Sequence, residues 1–204
     1  MKLLKMVELC GLFVGIPLLY KFDLIPFHKS IPLLAVFTLA IAILYKDKNF
    51  EFNWWKLRTW RYWRVHLLRY LLFVVLTTVA VRVYEPSSLF DFPAHNPNMW
   101  LLTILLYPLW SVFPQEVIYR AFFFHRYKEL FQKPWALLLM NALLFSFSHI
   151  IFNNLLCLVM TFFGSIIFAW TYLKSKSVLA VSIEHALYGN YIFTVGLGKY
   201  FFLP

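Results

Sequence analysis

Apolar runs of bilayer-crossing length recur along this chain and leave it little choice of environment. They cover about residues 4–20, 31–45, 65–84, 99–124, 136–153, 155–173 and 178–196. Spanning the hydrocarbon takes about 20 apolar residues in a helix. The first two runs are short and suit a tilted or partly inserted helix, and 99–124 is longer than a bilayer needs. Composition agrees. Of 204 residues, 62% are hydrophobic and 14% charged, against about 45–50% and about 25% in soluble domains. The excess is too large for one buried core. We expect an all-α, polytopic transmembrane helix bundle of about seven spans, a single integral membrane domain over residues 1–204.

The net charge of +10 would suggest nucleic acid in a soluble chain. Here it predicts a bilayer partner and no nucleic acid, because the basic residues collect in alternate loops. Lys46, Lys48, Lys56, Arg58, Arg61, Arg64 and Arg69 fall in 46–69. Arg126, Lys128 and Lys133 fall in 125–134, and Lys174 and Lys176 in 174–177. The intervening "EPSSLFDFPAHNPN" has two acids and no Lys or Arg. The positive-inside rule puts the basic loops and the N-terminus in the cytoplasm and the C-terminus outside, in a plasma (inner) membrane. Arg82, near the outer end of its run, is the exception and can snorkel. "FEFNWWKLRTWRYWRV" (50–65) interleaves Trp with basic residues and reads as an amphipathic helix in the cytoplasmic headgroup layer. The start "MKLLKMVELCGLFVGIPLL" lacks a clear small-residue cleavage site and is kept as a first helix. Cys10 and Cys157 lie in apolar runs and are expected to be small core residues rather than a disulfide. CxxC and HExxH are absent, so no metal or other cofactor is expected.

Ionisable residues inside membrane spans are costly and mark function by default. Glu116, Arg120, His149, Glu184 and His185 lie deep, with the amide of Asn190. They fall on three runs and are expected to converge on one interior. Glu116 and Arg120, spaced i, i+4, share a helix face. Taken alone they could simply neutralise each other, and each histidine could be a helix–helix hydrogen bond. Together, a carboxylate, two imidazoles and an amide suffice for hydrolysis: one pair to take a proton from water, the other to hold an oxyanion. By helical rise, Glu116 lies about 24 Å from an outer start near Trp100, and His185 about 10 Å from a start near Val178. Both then sit in the half nearer the basic loops. His149, about 20 Å from Trp135 by the same measure, lies further out unless its helix begins earlier, for which Pro134 suits the first turn.

"QEVIYR" (115–120), "FSFSH" (145–149) and "EHALYGN" (184–190) resemble the three motifs of the CPBP family of intramembrane endopeptidases, which includes the CAAX prenyl endopeptidases and bacteriocin-associated membrane proteins. The family pattern is Glu-Glu-xxx-Arg, Phe-xxx-His and His-xxx-Asn on successive helices. The resemblance covers about residues 99–196. It implies hydrolysis of a peptide bond in a membrane-associated peptide or protein by glutamate- and histidine-activated water, without metal. His149 would activate water, His185 and Asn190 would polarise the carbonyl, Phe145 would pack, and Arg120 would orient Glu116.

Two positions depart from the pattern. Gln115 stands where the first glutamate is usual, and a carboxamide is not a base near neutral pH. Either Glu116 serves, after a small helix rotation, or the protein is catalytically inactive and binds a partner or confers bacteriocin immunity. Four residues after His185 comes Gly189; Asn190 is the fifth and lies off that face unless Gly189 permits a bulge. Glu184 is expected to pair with a basic or hydroxyl group on another span, or to supply the acidity missing at 115. A proton carrier using Glu116, His149 and Glu184 is a further possibility, against which the lack of internal repeats argues. A serine peptidase built on Ser146 or Ser148 lacks a Gly-x-Ser-x-Gly-like setting.

Overall fold

The computed structural model describes residues 2–51, 54–55 and 63–201, and the described residues contain helices and no strand. Seven long segments follow the apolar runs: α1 Lys2–Lys21, α2 Ser30–Lys46, α3 Trp63–Tyr84, α4 Pro97–Leu130, α5 Pro134–Phe152, α6 Leu155–Ser175 and α7 Val178–Val195. Five of them are long and apolar enough to cross a membrane. α2 has only 17 residues, and in α7 the polar Glu184, His185 and Asn190 dilute the hydropathy. The amphipathic helix expected over 50–65 lies largely outside the described residues.

Local chemistry sets the helix ends. Pro134 opens α5, where its missing N–H costs nothing. Asn154 caps α6 by accepting from the Cys157 amide, and Ser177 caps α7 by accepting from that of Ala180. α7 stops at Gly196, whose φ of +109° suits glycine. A Cβ there would also meet the Ser88 carbonyl at 1.9 Å.

In lipid, apolar contact alone does not hold helices together, so packing and polar ties must. Away from the centre of the bundle, the described ion pairs collect at its two ends. At one end Lys5 pairs with Glu129, Arg126 with Glu8, and His125 with Asp47 at 2.7 Å. The hydrogen bond from His125 holds the exposed Asp47 carboxyl below its usual range. Ser177 and the Leu179 amide both donate to the Trp54 carbonyl at this end. At the other end Lys199 pairs with Glu85, and the Phe90 amide donates to Val195. The loops dense in Lys and Arg therefore share one end. The N-terminal end of α1 lies with them, and the segment after α7 lies opposite.

α4 runs through the middle. Val117, Arg120, Ala121, Phe122 and Phe123 are wholly buried. Phe13 of α1 packs edge-on against Tyr119, Phe123 and Tyr127 at 5.2–5.9 Å. α3 turns Leu72, Val75, Leu76 and Val79 outward, as a lipid-facing helix does. Cys157 is buried as expected, but Cys10 is exposed on α1.

Candidate functional site

α4 is not a uniform helix. Wider turns with i→i+5 hydrogen bonds occupy Pro108–Val112 and Val117–Phe122 and bracket Phe113–Glu116. Pro108 and Pro114 remove two N–H donors from this stretch, and turns of this kind recur at functional sites. The result splits two neighbours. Gln115 lines a large cavity, whereas Glu116 is wholly buried away from it.

Glu116 is the hub of a buried charge cluster. Arg120 Nε lies 3.0 Å from its Oε2, and His185 Nδ1 lies 2.7 Å from its Oε1. Arg120 also donates to Asn141 Oδ1 at 2.5 Å, and Asn141 donates to the Tyr119 carbonyl at 2.7 Å. The guanidinium lies 5.2 Å from the Phe145 ring centroid. This cluster joins α4, α5 and α7 at the centre of the bundle. An ion pair in that place compensates two charges that would otherwise be very costly to bury.

Phe145 does more than fill space. Its ring stands between the two imidazoles, 4.9 Å from His149 and 5.8 Å from His185. Both histidines line the cavity. His149 begins the tighter turn that closes α5, and its Nδ1–H donates to the Phe145 carbonyl at 2.7 Å. That bond fixes the tautomer and leaves Nε2 as the acceptor. In His185, Nδ1–H donates to Glu116, and Nε2 lies 3.2 Å from the Tyr107 hydroxyl. Phe168 stacks on the same ring at 4.5 Å. Glu116 therefore pairs with His185, while His149, the histidine to which the motif resemblance gives water activation, bonds to the Phe145 carbonyl.

Asn190 does not reach this cluster. α7 stays a regular helix through Gly189, so the bulge that would turn Asn190 onto the His185 face does not form. Its amide donates to the Ile104 carbonyl at 3.2 Å, and its Oδ1 is buried without a hydrogen-bond partner. Glu184 is bound elsewhere too. It accepts from His66 at 2.8 Å and from Thr171 at 2.5 Å, with Arg69 at 3.4 Å. It is a tie between α3, α6 and α7, outside the cavity lining. Among the described residues no three His, Cys, Asp or Glu side chains lie close enough to hold a metal ion.

The cavity has a volume of about 1540 Å³, above the 300–1,000 Å³ usual for small ligands. Its wall is mostly apolar. Asp91 is the only carboxylate among the described residues lining it, and it pairs with His95 at 2.8 Å. The lining runs from Ile118, Phe168 and His185 to Lys29, Ser88 and Lys199. It thus opens toward the end away from the basic loops. At that mouth burial pulls the Lys29 ammonium below its ordinary pKa.

Two cavity residues escape the motif search, Tyr107 and Ser111. Gln115 donates to Ser111 Oγ at 2.7 Å, while its own Oε1 is buried without a hydrogen-bond partner. Residues 107, 111 and 115 recur every fourth position in an apolar run. That spacing is the signal that could have found them.

No curated protein and no solved structure matches the chain. The family model "Rce1-like: Type II CAAX prenyl endopeptidase Rce1-like" matches residues 97–190. Relatives of that kind suggest a CAAX-type intramembrane protease, and a membrane-embedded helical chain suits one. The match covers the segment that carries all three motifs, and over it this chain is similar to the type II CAAX prenyl endopeptidases, in keeping with the CPBP family.

Proposed function

We propose that the chain is an intramembrane endopeptidase that admits a membrane-anchored peptide to its cavity and cleaves it with water activated by His149. The observation that carries this is the pair of imidazoles on one cavity wall: His149 with its Nε2 lone pair left open, His185 fixed by Glu116. His149 Nε2 takes a proton from water, and the hydroxide oxygen bonds to the scissile carbonyl carbon. The C–N bond then breaks as His149 returns the proton to the leaving amine. Gln115, whose amide donates to Ser111, stands at the cavity wall beside the water and takes no proton. Glu116 acts through His185, whose tautomer and ring position it holds. The scheme predicts slow turnover, because no carboxylate stands beside the water.

The test is cleavage of a membrane-peptide library in proteoliposomes. His149→Ala should lower the rate about 10²- to 10⁴-fold; a rate equal to wild type would remove His149 from the chemistry. A second reading is favoured by Gln115, which occupies the cavity wall where a base would serve. In that reading the chain binds its peptide without cutting it, and wild type and His149→Ala retain the intact peptide alike.

The clustering of basic loops at one end supports an N-terminus in the cytoplasm and a C-terminus outside. The peptide then enters from the outer half of a plasma (inner) membrane. In a cysteine-free background, Lys199→Cys should react with an impermeant maleimide on intact cells, and Lys48→Cys only after permeabilisation. The reverse pattern would invert the protein.

A further inference from the structure

We infer that Tyr107 is a catalytic residue, and that its phenol O–H binds the oxygen of the scissile carbonyl. The inference rests on the peptidase reading above and adds a group to it. Hydrolysis in a mostly apolar cavity needs a donor for the oxygen that becomes negative. Asn190 is not available for this, because its amide is committed to the Ile104 carbonyl. Tyr107 lines the cavity beside His185 and Gly189, and its hydroxyl lies 3.2 Å from His185 Nε2.

The room for that hydroxyl comes from Gly189. A Cβ at 189 would lie 2.4 Å from both the Tyr107 hydroxyl and the ring carbon Cε1. The phenol of α4 therefore fills the space a side chain on α7 would take, one helical turn beyond His185. Phe193 packs edge-on against the Tyr107 ring at 5.2 Å and holds it there. With Nδ1–H committed to Glu116, His185 Nε2 is an acceptor, and the Tyr107 O–H donates to it at rest. A hydroxyl rotates freely about its C–O bond. As the carbonyl oxygen gains charge it becomes the better acceptor, and the O–H turns to it while the ring stays in place.

The test uses Tyr107→Phe, which keeps the ring in the space beside Gly189 and removes only the hydroxyl. In proteoliposomes kcat should fall about 10²- to 10³-fold, with KM within about twofold of wild type. A second readout needs no turnover: binding of a membrane-anchored peptide ketone and of its methylene analogue. Wild type should prefer the ketone by about tenfold, and Tyr107→Phe should erase that preference while leaving methylene binding unchanged. A preference that is absent in wild type, or that survives in Tyr107→Phe, overturns the assignment. If wild type cleaves nothing but the ketone preference depends on Tyr107, the peptidase reading fails and the carbonyl-binding role stands. The double variant Tyr107→Ala with Gly189→Asn restores a donor from the other helix and should regain part of the ketone preference.

Discussion

Replacing Glu116 by Gln should destabilise the protein by about 3–5 kcal/mol, the usual cost of leaving one partner of a buried ion pair uncompensated. Arg120 and Glu116 are both wholly buried, 3.0 Å apart. Arg120 keeps Asn141 as a partner, but an amide oxygen carries no charge. A charged group at the centre of a bilayer-embedded bundle has little water to turn to. Thermal unfolding in detergent should show the loss directly. The compound variant Glu116→Gln with Arg120→Met removes both charges and should recover most of the stability. It should not recover cleavage, because His185 still lacks the carboxylate that fixes its tautomer. A single Glu116→Gln variant that melts with wild type would show that the pair contributes little to the fold.

Gln115→Glu should act in the opposite direction and raise kcat by about 10²- to 10⁴-fold, the typical worth of a positioned general base. The side chain at 115 lines the cavity, and Ser111 already bonds its far end. Glutamate has nearly the same shape, so the exchange changes chemistry more than packing. The new carboxylate would share the proton transfer with His149 rather than replace it, so His149→Ala should still abolish the gain. Cleavage of the same peptides at a rate no greater than wild type would show that residue 115 does not face the attacking water. An increase from no detectable cleavage would instead identify the native chain as a binder one substitution away from an enzyme.

The helices were legible because membrane insertion sums hydrophobicity over some twenty residues. The observed ends fall within about two positions of the apolar runs except that α4 continues to Leu130, well past the run 99–124, and Pro134 opens its helix as its chemistry demands. The alternation of basic and basic-poor loops also separated the two physical ends of the bundle. Pairing within the site was not legible. The motifs give a glutamate and His149 one task, the activation of water, and do not say which imidazole touches Glu116. In the fold it is His185, and Pro108 and Pro114 mark the stretch of wider turns without showing which way 115 and 116 face. Glu184 was expected to find a basic or hydroxyl partner on another span, and it finds His66, Arg69 and Thr171. His66 stands in a stretch of sequence dense with Lys and Arg, where one more basic residue carries no signal. Tyr107 was hidden for a different reason. An aromatic residue in an apolar run looks like core until Gly189 shows which space its hydroxyl occupies.

The wider turns of α4 also bear on how such a helix changes through evolution. A turn closed by an i→i+5 bond holds one residue more than its neighbours, so losing a codon within 117–122 would rewind it to an ordinary turn. Everything upstream would keep its face toward the bundle, because the wider turn had held the extra residue within its own circuit. A codon lost from an ordinary turn has no such slack and would rotate what lies upstream by about 100° relative to the rest. The wider turns are therefore the places along α4 where a residue can be gained or lost while Gln115 and Glu116 keep their separate surroundings.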